Sequence, residues 1–261
     1  MREFVAICGK SAILLSGVFF EGNVMEDIVR QSRQSIHFAI SFVVAAPWSM
    51  EKKKCVDLER VLLDERLEFS QTRTSQRDFT LIRTEQSNLQ VQIVSLGPQV
   101  SRMSVIAEKP EDQLELFAKE AQTVWQSYRT VWFGGPVQIL ERRALIRQLY
   151  SLSDHAFKYL WEDRLGQSPE DFKLLGRPVL GGGLRFIMPP NPKDKQPVQI
   201  EVKIESFLQE AKRLFVETAF LWPKPAAISV EESSEVSNML SAVENFATHQ
   251  VLDFIGKVHK L

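Results

Sequence analysis

Two stretches of this chain carry apolar residues at steps of three and four, and each follows three short segments that alternate like strands. The C-terminal stretch puts Val236, Leu240, Val243, Ala247, Val251, Phe254 and Val258 on one face of a long helix. The earlier one runs from Pro110 to Tyr128, opens on a proline suited to a first helical turn, and aligns Leu114, Phe117, Ala121, Trp125 and Tyr128. A helix with one apolar stripe must bury it, and the apolar face of a sheet is the natural cover. The chain is therefore expected to stack helices on a sheet.

The strand segments before the first helix are Phe79 to Thr84, Leu89 to Ser95 and Val100 to Glu108, parted by polar residues 85–88 and by Gly97-Pro98. Before the second they are Leu184 to Met188, Val198 to Glu205 and Leu214 to Trp222, with the proline-rich run 189–195 as an exposed loop. Upstream, Ile36 to Ala46 and Val137 to Tyr150 read as long strands leading to helices over Lys54 to Leu67 and Leu152 to Leu165. Ser151 with Asp154, and Ser229 with Glu232, have the spacing of helix-opening caps.

The order strand, helix, three strands, long helix thus occurs twice, with faint echoes such as Val91-Gln92-Ile93 against Val198-Gln199-Ile200. The expected fold is α+β, with two similar β-α-β-β-β-α halves over 35–133 and 134–261 forming antiparallel sheet in one joint unit. The long helices pack on one face, and the opposite face stays free for a partner. Residues 1–34 form an extension, with a strand over Ala12 to Phe20 and a helix over Val24 to Arg33, read as an added strand or an oligomerisation arm.

Composition excludes several classes. With 44% hydrophobic and 25% charged residues over 261 positions, the chain can bury a core. Thirty-two Lys plus Arg against thirty-three Asp plus Glu leave a formal charge of −1, so no global positive field attracts a polyanion. Two cysteines, Cys8 and Cys55, give neither a disulfide framework nor a Cys-x-x-Cys site, which points to a reducing, cytoplasmic setting. Gly9-Lys10 interrupts the N-terminal apolar run before it becomes a secretion signal. No apolar run approaches the roughly 20 residues that span a bilayer, so no membrane partner is expected.

Catalytic patterns are missing from the chain. Gly9-Lys10-Ser11 ends like a phosphate-binding loop, but Phe4 stands where that loop needs its first glycine. His37, His155, His249 and His259 lack metal-ligand spacing, and there is no Gly-x-Ser-x-Gly elbow. No catalytic, cofactor or metal residue is assigned. Gly181-Gly182-Gly183 permits close backbone approach of a ligand, or serves as a turn into the next strand. Lys52-Lys53-Lys54 reads as a solvated helix start, and Trp125, Trp132, Trp161 and Trp222 read as packing rather than base-stacking residues.

The most polar stretch within a strand is Glu141 to Tyr150. Alternation sends Glu141, Arg143 and Arg147 to one face and Arg142, Gln148 and Tyr150 to the other. Arg142, Arg143, Arg147 and Tyr150, with Arg185, are the candidate binding surface, since planar guanidinium groups suit carboxylates and phosphates. A solvated or charge-protected edge strand is the plain alternative.

Over Phe79 to Tyr128, Val137 to Tyr150 and Val198 to Phe254, this order of elements resembles a sporadically distributed, uncharacterised bacterial family of about the same length. In that family the Arg-containing strand usually has arginine followed by an aromatic residue near a Gly-Leu pair, where this chain has Arg147-Gln148-Leu149-Tyr150. The resemblance implies the duplicated α+β layout and no established activity. The expected function is non-enzymatic: binding a protein partner, or assembling with its own copy, through the free sheet face or the N-terminal extension. Two alternatives stand beside it. One is a nucleic-acid binder, because the layout resembles the saddle of TATA-box-binding proteins. The other is a small-ligand protein or enzyme, which requires Arg143 or Arg147 in a pocket with a carboxylate such as Glu141, Glu201 or Glu205.

Overall fold

The computed structural model describes residues 31–46, 51–84, 88–110, 114–134, 137–194, 196–223, 226–228 and 235–256. The loop signature at Gly9-Lys10-Ser11, the elements expected within 1–30 and the cap at Ser229 with Glu232 lie outside these residues.

Alternation builds the sheet. In β1 (Gln34–Val44), Phe38, Ile40, Phe42 and Val44 are buried on one side, while Ala39, Ser41 and Val43 on the other are partly exposed. Strands β2 (Gln71–Thr74), β3 (Asp78–Arg83), β4 (Asn88–Gly97), β5 (Val100–Glu108), β6 (Val137–Ser151), β7 (Gly183–Met188), β8 (Gln199–Ser206) and β9 (Arg213–Trp222) join it in one antiparallel sheet. Their order is β2-β3-β4-β5-β1-β6-β9-β8-β7, and β10 (Ala226–Ile228) pairs with the start of β6.

The first strands of the two halves meet at the centre, with Phe38 opposite Ile146 and Phe42 opposite Arg142. Outward from that seam the pairing order repeats: β1 is followed by β5, β4 and β3, and β6 by β9, β8 and β7.

The helices lie on the side of Phe38 and Ile40. Helices α1 (Lys52–Asp64) and α2 (Leu114–Trp132) bury Leu58, Leu62, Phe117, Ala121, Trp125 and Tyr128 in the core of β1, β3, β4 and β5. Helix α3 (Ala156–Lys158) continues into a π-helical stretch, Tyr159–Arg164, and packs against Val202, Ile204, Leu214 and Val216. The short α4 (Pro169–Lys173) rests Phe172 on Phe157 and Trp161. Helix α5 (Glu235–Asn245) runs through a π-helical stretch, Phe246–Val251, into α6 (Leu252–Gly256). No described helix is long and apolar enough to cross a membrane.

Three local expectations are corrected. Helix α3 starts at His155, whose Nδ1 accepts the Phe157 N–H, rather than at Ser151, which still pairs with Arg213 in the sheet. The wide π turn over Phe246–Val251 inserts extra residues into the helical phase, so Leu252 and Ile255 turn inward and Phe254 stays 38% exposed. Strand β2, all polar, and helix α4, opened by a Ser168/Asp171 capping box, are additional elements.

The glycine run is structural. Gly182 exchanges hydrogen bonds with Ser206, and a Cβ at Gly183 collides with the Ile204 carbonyl oxygen and the backbone of Glu205. Gly183→Ala is expected to cost about 1–3 kcal/mol, read as a lower urea midpoint at unchanged slope.

Candidate functional site

Strand β6 separates the candidate residues by side. From Arg142 to Tyr150 its even-numbered residues face the helices, while before the register shift at Ile139–Glu141 it is Val137 and Ile139 that do. There Arg142 Nη1 donates to Glu235 Oε1 at 3.0 Å, with its guanidinium 5.8 Å from the centre of the Trp222 ring. Tyr150 is fully buried and donates its hydroxyl proton to Gln148 Oε1 at 2.8 Å; burial raises its pKa well above the ordinary phenol value. Arg142 and Tyr150 are therefore core residues and leave the candidate surface. A period of two cannot put them beside Arg143 and Arg147.

On the face away from the helices, one row of residues crosses the sheet strand by strand: Arg185 on β7, Lys203 on β8, Glu217 on β9, Arg147 on β6, His37 on β1 and Glu108 on β5. The row is joined by short contacts. Arg147 Nε donates to Glu217 Oε2 at 2.6 Å, and Lys203 Nζ donates to Glu217 Oε1 at 2.6 Å. Arg185 Nε donates to Glu201 Oε1 at 2.9 Å, and His37 Nδ1 lies 2.9 Å from Glu108 Oε1. Arg185 and Arg147 thus fall in one row, as candidate residues should, though each is already held by a carboxylate.

Glu217 is the hub, with its side chain 4% exposed against 38% for Arg147 and 31% for Lys203. Burial is the largest single influence on its carboxyl and pushes the pKa up. The hydrogen bonds and charges of Lys203 and Arg147 outweigh burial, so the net shift is below the ordinary 4.5. Burial also dominates at His37 and lowers its pKa from the ordinary 6.5, with Glu108 opposing and Arg147 reinforcing that shift. Sequence reasoning put Glu141, Glu201 or Glu205 beside the arginines. Glu217 takes that place at Arg147, and its signal was the alternation of β9, where it is the one acid amid Leu214, Val216, Thr218 and Phe220.

Above the row, Arg143 and Arg102 are exposed, and neither makes an ion pair among the described residues. Ser41 of β1 pairs with both Ser104 and Arg143, while Val43 pairs with Arg102 and Glu141, so two guanidinium groups flank a small polar strip. Among the described residues no element crosses this side of the sheet.

The described clefts lie elsewhere. One of about 530 Å³ is bordered by Phe157, Glu162, Phe172, Lys173 and Arg177, and one of about 460 Å³ by Val56, Glu59, Leu63, Phe69 and Thr72. Neither contains Arg143 or Arg147. Among the described residues no three His, Cys, Asp or Glu side chains are grouped to hold a metal. No protein-family model matches the chain, nor does any curated protein.

Proposed function

We propose that this chain is a non-enzymatic binding protein that engages an acidic patch on a protein partner at Arg102 and Arg143, on the sheet face opposite the described helices. The observation carrying this reading is that two exposed guanidinium groups flank Ser41 and Ser104 while every other described basic group in the row below is tied to a carboxylate. Unspent planar donors on a rigid sheet suit carboxylates, and presenting them on strands limits the ordering cost of binding. The carboxylates of Glu217 and Glu108 within the row favour a protein over a nucleic acid, which demands a continuous positive track. The repeated pairing order about the seam supports reading the two halves as an internal duplication, and a cytoplasmic setting suits the buried, free Cys55.

The test compares the full chain with the double variant Arg102→Glu, Arg143→Glu, each immobilised and exposed to lysate of the source cell. The variant is expected to fold normally, because exposed unpaired side chains contribute little to stability, and to lose its partner at least tenfold. A partner held equally by both proteins overturns the reading. So does nucleic acid co-purifying with the wild type, seen as excess absorbance at 260 nm.

A further inference from the structure

The two ends of the sheet differ in kind. At one end, β2 is four exposed polar residues, Gln71-Thr72-Arg73-Thr74, the short polar edge that resists pairing. At the other, β7 reads Gly-Leu-Arg-Phe-Ile-Met over six residues, with Phe186 36% and Ile187 55% exposed. Its one charge, Arg185, is turned back onto Glu201 of its own sheet. Behind the strand, Phe186 meets Phe254 edge to face at 5.3 Å, and Phe254 is itself 38% exposed. A long apolar edge of this kind is a template for another strand.

Backbone alternation says which strand fits. The Ser206 N–H donates to the Gly182 carbonyl, so Gly182 and every second residue after it, Leu184, Phe186 and Met188, direct their peptide groups inward to β8. The outward N–H and C=O groups of β7 therefore belong to Gly183, Arg185 and Ile187. An antiparallel copy of β7 centred on Phe186 satisfies those of Arg185 and Ile187 at once, because Arg185 of each chain then exchanges hydrogen bonds with Ile187 of the other. Sliding by one pair sets Arg185 against Arg185, or against Pro189, which has no N–H to give.

Charge agrees with this register. Lys203 lies beside Arg185 and Glu201 beside Ile187, so the basic row of one chain runs across the seam into the acidic position of the other, and the reverse holds by symmetry. On the helix side, Phe186 faces Phe186 at a closely spaced pair, flanked by both Phe254 rings. The fit is self-complementary, as a twofold interface requires.

We propose that the chain forms a twofold dimer through antiparallel pairing of β7 with β7 of a second copy, Phe186 opposite Phe186. This edge is separate from Arg102 and Arg143, so the dimer and the partner-binding reading stand or fall independently. Light scattering after size exclusion of the full chain is expected to give twice the 29.9 kDa chain mass. Ile187→Pro removes only an outward N–H, leaves the β7–β8 ladder intact, and is expected to halve that mass without loss of the circular dichroism signal. Phe186→Cys, made with Cys8→Ser, is expected to form a disulfide-linked dimer on mild oxidation, because closely spaced antiparallel pairs bring Cβ atoms within disulfide reach. Ile187→Cys, which faces Arg185, is expected not to. A monomeric wild type, a dimer that survives Ile187→Pro, or a Phe186→Cys protein that fails to cross-link overturns the proposal.

Discussion

Replacing Trp125 with alanine is expected to remove roughly 3–5 kcal/mol, a large part of the stability of an ordinary domain. The indole is fully buried on α2 and stacks on Phe42 of β1 with ring centres 4.0 Å apart and planes 5° from parallel. Tyr128 packs against the same indole at 6.0 Å, and the buried Arg129 guanidinium lies 5.2 Å from its centre. Truncation opens a cavity at the contact between the central strand and α2, where neither side can collapse without shifting the sheet seam. The indole N–H has no acceptor among the described residues, so Trp125→Phe breaks no hydrogen bond and keeps an aromatic face for Phe42. It is expected to cost under half as much as the alanine variant. Urea unfolding followed by circular dichroism measures both, and equal losses from the two variants would show that an aromatic face kept against Phe42 recovers nothing.

The same tryptophan shows what the sequence made legible. Its place in the stripe Phe117, Ala121, Trp125, Tyr128 identified the buried face of α2, because helical period and burial are one constraint. The strand β5 from Val100 to Glu108 was readable to the residue, bounded by Gly97-Pro98 and by Pro110. Strand β2 was not, since Gln-Thr-Arg-Thr has no apolar member and pairs only because Asp78–Arg83 offers it an edge. The site was half legible. Alternation along β6 correctly parted Arg143 and Arg147 from Arg142 and Tyr150, yet nothing local to β6 says which side the helices take. Partner choice was beyond reach for a similar reason: Glu217 meets Arg147 through the β6–β9 register, a nonlocal property fixed by the whole meander. Glu235, the partner of Arg142, arrives from a helix 93 residues away.

Glu217→Gln is expected to cost about 2–3 kcal/mol at neutral pH. Breaking a fully buried pair costs roughly 3–5 kcal/mol, and the figure is reduced here because Arg147 and Lys203 both reach solvent. Glutamine keeps the shape but offers one acceptor oxygen where the carboxylate served both cations, and its NH2 meets a donor instead of an acceptor. The pH dependence separates charge from shape. The folded-state pKa of Glu217 is depressed below 4.5, so its contribution is fully present above 4.5 and is lost as pH falls through the folded value. His37 adds to the acid sensitivity in the same direction: its folded pKa is lowered below 6.5, the unfolded chain binds that proton more readily, and stability falls as pH drops below 6.5. His37 stays in the variant, but the Glu217 charge helps to hold its pKa up, so in Glu217→Gln the folded His37 binds its proton less readily still. The stability gap between wild type and Glu217→Gln should therefore hold or widen slightly as pH falls from 7 to about 5, through His37, and narrow only in more acid solution, as Glu217 itself takes up its proton. A gap that is constant down to pH 2 would mean that Glu217 acts through packing and not as the anion that holds the row together.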